Sequence, residues 1–213
     1  MIRRVVLLGS GGHARVVVEI LRMMHEVDIV GVVTADRNVS EFSGAPVLGQ
    51  DEVLPRLLDD GVALFAMGVG GFRSNDLRAE VFERTVELGL VPVSPTHPAA
   101  EVSPSASVGR GSVLFAKAVL NPAVRLGRNT IVATGATVDH DTVVEDHVLV
   151  SAGVTVGACV TIRERALLAI GSTVVSGVEI GRGALVAAGA VVIRNVPDGA
   201  AVAGVPARLF KTR

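Results

Sequence analysis

The chain has 213 residues, 49% of them hydrophobic, with no Trp or Tyr and only 6 Phe. Any core is therefore built from Val, Ala, Leu and Ile, which favour strand-rich, regularly layered packing. A net charge of −1, with scattered basic residues that are nearly all Arg, excludes the clustered basic face that nucleic acid or an acidic membrane surface requires.

The first half alternates strand and helix. RRVVLLG reads as a buried parallel strand ending at glycine, and HARVVVEILRMMH carries apolar residues at helical spacing. DIVGVVT is a second strand, QDEVLPRLLDDG a short helix and VALFAMGVG a third strand. RSNDLRAEVFERTVELG reads as a helix with Ser74 or Asn75 as cap and Gly89 beyond its end, and LVPVSP as a last strand. The alternation predicts an α/β domain, a small Rossmann-like parallel sheet covered on both faces, over residues 1–96.

From Val102 the pattern changes to a strict period of six. Every sixth residue from 102 to 192 is Val, Leu or Ile, and the fifth place of each hexad, 106 to 196, is Ala, Ser, Thr or Val. Sixteen aliphatic hits in one register arise by chance at odds on the order of 10⁻⁷. A hexapeptide period predicts a parallel β-helix over residues 97–213, one hexad per face, with the first place inside and the fifth supporting it near the corner. At the usual strand spacing its coils stack roughly 25 Å high.

Chemistry-bearing residues are few. His140, in VDHDTV, occupies the third place of its hexad and faces away from the prism. It reads either as a solvated histidine or as a general base, since an imidazole titrates close to neutrality and a carboxylate on its other nitrogen would raise its basicity. His147 follows in acidic company. No third histidine lies in the repeats and no cysteine neighbours these two in sequence, so no metal is expected. GSGGHA, Gly9 to Ala14, fits G-x-G-x-x-A between a strand and a helix. It suits either a dinucleotide such as NAD or another phosphate-bearing ligand at a helix N-terminus. The lone Cys159 excludes an intramolecular disulfide and reads as a small structural hydrophobe rather than an acyl carrier. It fits a reducing compartment. No stretch reaches the roughly 18 apolar residues of a membrane span, and the apolar run after the basic start is too short for a secretory leader. The expectation is a cytoplasmic protein with no membrane or nucleic-acid partner.

GSGGHA, then HPAAEVSPSASVG, then repeats containing VDHD, then VPDGAAVAGVPAR, resemble the NeuD/PglD family of sugar acetyltransferases across essentially the full chain. The resemblance implies a left-handed β-helix, a homotrimer with CoA sites between neighbouring β-helices, and acetyl transfer from acetyl-CoA to a nucleotide-linked amino sugar. It makes His140 the base and Asp141 the residue that tunes it, and it puts the nucleotide-sugar on Gly11, Gly12, His13, Asp36 and Gly68. It puts acetyl-CoA along Leu149, Ile170 and Ala188. Arg208, in the closing GVPAR, reads either as a contact to a CoA phosphate or as a solvated tail arginine. Three departures from the family pattern bear on the acceptor and cofactor: Thr34 and Ala35 replace acidic residues, Ala133 replaces a common Asn, and Leu149 replaces a second histidine. His147 is expected at the surface, toward a subunit interface. The alternatives are O-acetylation of a sugar such as sialic acid, and a non-catalytic nucleotide-sugar scaffold.

Overall fold

The computed structural model describes residues 2–24, 26–71 and 74–210. His25 and Arg73, at the ends of two predicted helices, lie outside the described residues. In the N-terminal half, β1 (Arg3–Leu8) runs parallel between β2 (Val27–Val33) and β5 (Leu64–Met67). The sheet is completed by β3 (Glu41–Phe42), β4 (Ala45–Gly49) and β6 (Val91–Pro92), in the order β3-β4-β2-β1-β5-β6. Alternate residues of β1 serve opposite faces. Val5 and Leu7 pack with Ala14, Val17 and Leu21 of helix α1 (Gly12–Met23). Val6 and Leu8 pack with Phe65, Leu54 and Phe82, the last from helix α3 (Asp76–Glu87).

Three local readings are corrected. The predicted short helix starts as a 3₁₀ turn, Asp51–Val53, and becomes α-helical only over α2 (Leu54–Asp59), where Pro55 at the first turn suits a helix start. The β3–β4 hairpin carries no strand signal in the sequence because β3 has only two residues and its turn is Ser43-Gly44, both at positive φ. Asn75 stands at the N-cap of α3, but its side chain does not cap: its Nδ2 donates to the carbonyls of Arg165 and Ala166.

Thr96 pairs with Leu114 as the chain enters the β-helix. Sixteen two-residue strands follow, β7 (Glu101–Val102) to β22 (Val191–Val192), each ending at the first place of a hexad. They stack eighteen residues apart, as in Thr137 beside Thr155, into three parallel sheets that form the faces of a prism. First and fifth places fill the interior: Val132, Val138, Val150, Ala136 and Val154 are all 0% exposed. Strands β23 (Ala201–Ala203) and β24 (Arg208–Leu209) close the end as an antiparallel pair.

The fourth place of the hexad sets the corners. From 111 to 189 it has positive φ at every corner, and the occupants that are not glycine are Lys117, Ala123, Asn129, Asp141, His147, Cys159 and Arg165. A side chain there costs about 1–2 kcal/mol relative to glycine, so a residue retained there calls for a reason in its side chain. Eighteen-residue stacking sorts these places into three columns. The first corner holds Ala123, Asp141, Cys159 and Gly177; the second holds Gly111, Asn129, His147, Arg165 and Gly183; the third holds Lys117 and then Gly135, Gly153, Gly171 and Gly189.

Helix α3 docks on the second corner. Arg78 meets Asn129, Glu83 pairs with His147 at 3.0 Å, and Arg165 reaches Asp76 at 3.4 Å. Phe82 meets the His147 ring edge-on at 5.8 Å, and on another side of the junction His13 stacks on Phe115 at 5.4 Å.

Candidate active site

The ends of β1, β2 and β5 open into a cavity of about 430 Å³ lined by Ser10, Gly11, Gly12, His13, Thr34 and the 68–71 turn. Gly11 is the N-cap of α1 and has no side-chain cap bond. A Cβ built on Gly11 or Gly12 would meet nothing within 4 Å. These glycines therefore face open space, where backbone N–H groups at a helix N-terminus suit an anion. Gly68 lines the same cavity, but its missing Cβ is explained by packing, since one would lie 2.7 Å from the Leu8 carbonyl oxygen. A second cavity of about 420 Å³ adjoins through Thr34 and contains Asp36, Arg37 and Gln50. Thr34, one of the departures, is 7% exposed and its hydroxyl lies 2.8 Å from that of Ser10.

His13 is less a free contact than the sequence implied. Its Nε2 lies 3.3 Å from Nη1 of Arg78. Burial, and then the Arg78 charge, lower its pKa from 6.5 to about 3, so the ring is neutral at physiological pH. Arg78, which the sequence pattern does not distinguish from the other charged residues of its helix, is 1% exposed. It donates from Nε to the Asn129 carbonyl at 3.3 Å, and from Nη1 to the carbonyls of Met67 and Val69. Burial lowers its pKa to about 9.

At the first corner, His140 Nδ1 lies 2.8 Å from Asp141 Oδ2. The left-handed backbone of Asp141, φ 57°, turns its carboxylate back toward the preceding residue. Asp139 takes the His140 N–H and the Asn121 side-chain amide, each at 2.8 Å, and these two bonds, in that order, hold its carboxyl below the usual range. The Asp141 bond raises the His140 pKa above 6.5. With the Nδ1 proton given to Asp141, Nε2 is the nitrogen left to accept one. Both side chains are about half exposed, His140 at 52% and Asp141 at 62%.

Cys159 corrects the sequence reading. It is exposed rather than a buried filler. One coil on from Asp141, it brings donor atoms of His140, Asp141 and Cys159 within 4.8 Å of one another. These are the residues that could share a cation, although Nδ1 is already engaged and nothing encloses the group. His147 is also corrected: it is 3% exposed and buried in the contact between the two halves, with Nδ1 accepting from Asn129 at 3.0 Å. Burial lowers its pKa.

The cofactor candidates separate. Leu149 is 8% exposed, packed with Ile131 and Leu167, and a Cβ on Gly71 would lie 3.0 Å from it. It thus sits under the N-terminal half. Ala133 belongs to the same cluster. Ile170, 65% exposed, and Ala188 lie on the third corner, where the Gly189 N–H donates to the Ile170 carbonyl at 2.9 Å. A Cβ at Gly135, Gly153, Gly171 or Gly189 would meet nothing within 4 Å, which leaves a strip of bare backbone beside them. Arg208 lies on the closing strand beside a cavity of about 500 Å³ that also contains Arg194 and Leu209.

A hexapeptide β-helix with an outward histidine–carboxylate pair, joined to an α/β domain with a glycine turn at a helix N-terminus, defines the class of β-helix acyltransferases with a nucleotide-binding-type domain. The family profile of the PglD N-terminal domain matches residues 4–85. PerB of Caulobacter crescentus, solved with CoA and GDP-perosamine, is 35% identical, with 99% of each chain covered and a TM-score of 0.92. That GDP-perosamine N-acetyltransferase has also been crystallised with one histidine replaced by alanine or asparagine. The acetyltransferase domain of PglB from Neisseria gonorrhoeae, in complex with acetyl coenzyme A, is 32% identical over 99% of this chain and 100% of that one, with a TM-score of 0.89. The UDP-N-acetylbacillosamine N-acetyltransferase of Bacillus subtilis is 32% identical over 122 residues, 54% of this chain and about half, 52%, of that protein. The chain belongs to the NeuD/PglD family of sugar acetyltransferases.

Proposed function

We propose that the protein transfers the acetyl group of acetyl-CoA to the amine of an amino sugar carried on a nucleotide. The sugar nitrogen attacks the thioester carbonyl, His140 Nε2 takes the proton, and the CoA thiolate leaves. Asp141 holds the ring by Nδ1 and stabilises the imidazolium that forms. The diphosphate would sit on Gly11, Gly12 and the N–H of His13, with Gly68 beside it. The nucleoside would lie in the adjoining cavity near Asp36. Acetyl-CoA would run along Ile170, Ala188 and the bare backbone of the third corner, with Leu149 at its edge.

The observation that carries this reading is the His140–Asp141 pair at 2.8 Å on an exposed corner, which gives a base with a fixed tautomer and an open nitrogen. The relatives bound to CoA and to GDP-perosamine support the choice of substrates. The same geometry argues for a homotrimer. His140 lies on the first corner and the proposed cofactor strip on the third, so a complete site combines corners from two copies. Use of acetyl-CoA and a lone free thiol favour the cytoplasm. Among the described residues no helix is long and apolar enough to cross a membrane.

The test is to follow free-thiol release from acetyl-CoA with a panel of nucleotide-linked amino sugars. An amide product is expected. Release with an ester rather than an amide as the product would mean O-acetylation, and binding without release would mean a scaffold.

A further inference from the structure

Arg78 is a buried charge outside the ion pairs of the described residues. The ion pairs among the described residues engage six other arginines, Arg56, Arg84, Arg128, Arg163, Arg165 and Arg182. None engages Arg78. Arg78 is 1% exposed, and among the described residues its guanidinium meets only carbonyl oxygens and the His13 ring and leaves Nη2 without a partner. A fully buried cation is costly unless an opposite charge comes to it. The groups it holds are the two lips of one cavity: His13 beside the open start of α1, and Val69 at the end of β5.

We infer that Arg78 is the buried countercharge for a diphosphate seated on the Gly11–Gly12 turn, and the positioning residue that fixes both lips of that pocket. The inference rests on the acceptor reading above. Arg78 has almost no accessible surface, so it acts through His13 and the Val69 carbonyl rather than by touching the ligand. Its charge is felt across a dry interior where little water screens it. Because a guanidinium only donates, His13 Nε2 must accept, and the imidazole proton stands on Nδ1. Three elements face that ring: Arg78 from α3, the Met67 carbonyl from β5 and Phe115 from the β-helix. Arg78 is the charged one.

The experiment uses the full chain as Arg78→Met and Arg78→Lys, with inorganic pyrophosphate as the binding probe in calorimetry. Arg78→Met is expected to weaken pyrophosphate binding and raise the acceptor KM by about tenfold or more, with the acetyl-CoA KM within about twofold of wild type. Arg78→Lys should restore most of the loss. Recovery by the cation of Arg78→Lys is what a merely space-filling residue would not produce. Equal losses for both substrates, unchanged pyrophosphate affinity, or no recovery with Arg78→Lys overturns the proposal. Should Arg78→Met not fold, Arg78→Lys and the rise in wild-type Tm with pyrophosphate decide, and no rise overturns it. Pyrophosphate binding as stated with no sugar acetylated would sink the acceptor reading and leave Arg78 in place.

Discussion

His140 owes its candidacy to two neighbours that hold it in different ways. Asp139 grips its backbone N–H and Asp141 its Nδ1, so the ring has one orientation and one open nitrogen. His140→Ala should lower kcat by about 10²–10⁴ with the fold intact, since the side chain is half exposed. In wild type the rate should rise with pH through a single ionisation lying above the ordinary histidine value, because Asp141 favours the protonated ring. Asp141→Asn removes that charge, so the ionisation moves down and the loss in kcat is smaller. An active His140→Ala enzyme with an unchanged pH profile would return His140 to the role of a solvated surface group. VDHD made this pair visible because the partners are sequence neighbours. Cys159 was invisible beside it because the coil, eighteen residues long, makes them neighbours only in the folded chain.

At the scale of elements, helix α3 and the second corner join the two halves of the chain. His147 sits there neutral, between Asn129 and Glu83. Its folded pKa lies below 6.5, so the contact contributes fully above that value and weakens as pH falls below it. Tm should decline on acidification from about pH 7 to pH 5, and His147→Gln, which cannot take up the proton, should flatten part of that decline. An identical slope in the variant would mean the interface does not sense His147. The helix start α1 gives a separable prediction. Gly12→Val fills space that is open in the protein, so it should weaken acceptor binding while acetyl-CoA binding stays nearly unchanged; equal losses would end the division of labour between the two halves.

For the whole molecule the question is how many copies make a site. The apolar run 148–160 offers little free surface to a partner, since Val148, Leu149, Val150 and Val154 are buried within the chain itself. The proposed trimer follows instead from the separation of the corners. Sedimentation should give three times the chain mass at micromolar concentration. Chains carrying His140→Ala, refolded together with chains carrying Ile170→Glu, should regain about a quarter of wild-type activity, because random mixing restores some interfaces with both corners intact. No recovery, or a monomeric mass, would place the whole site on one chain.

The sequence by itself determined the β-helix, because a period of six in Val, Leu and Ile is a direct print of one inward residue per face, and it determined the alternating sheet for the same reason of periodicity. It also marked His140, Asp141 and the Gly11–Gly12 turn, whose chemistry lies in adjacent residues. What it could not decide were the relations that arise when coils stack and the two halves meet. A lone arginine in an amphipathic helix reads as solvent-facing until Asn129, His13 and Val69 enclose it. A histidine in acidic company reads as surface until Glu83 of α3 covers it. Burial depends on which surfaces touch, and that is settled by packing between residues tens of positions apart, where no local pattern records it.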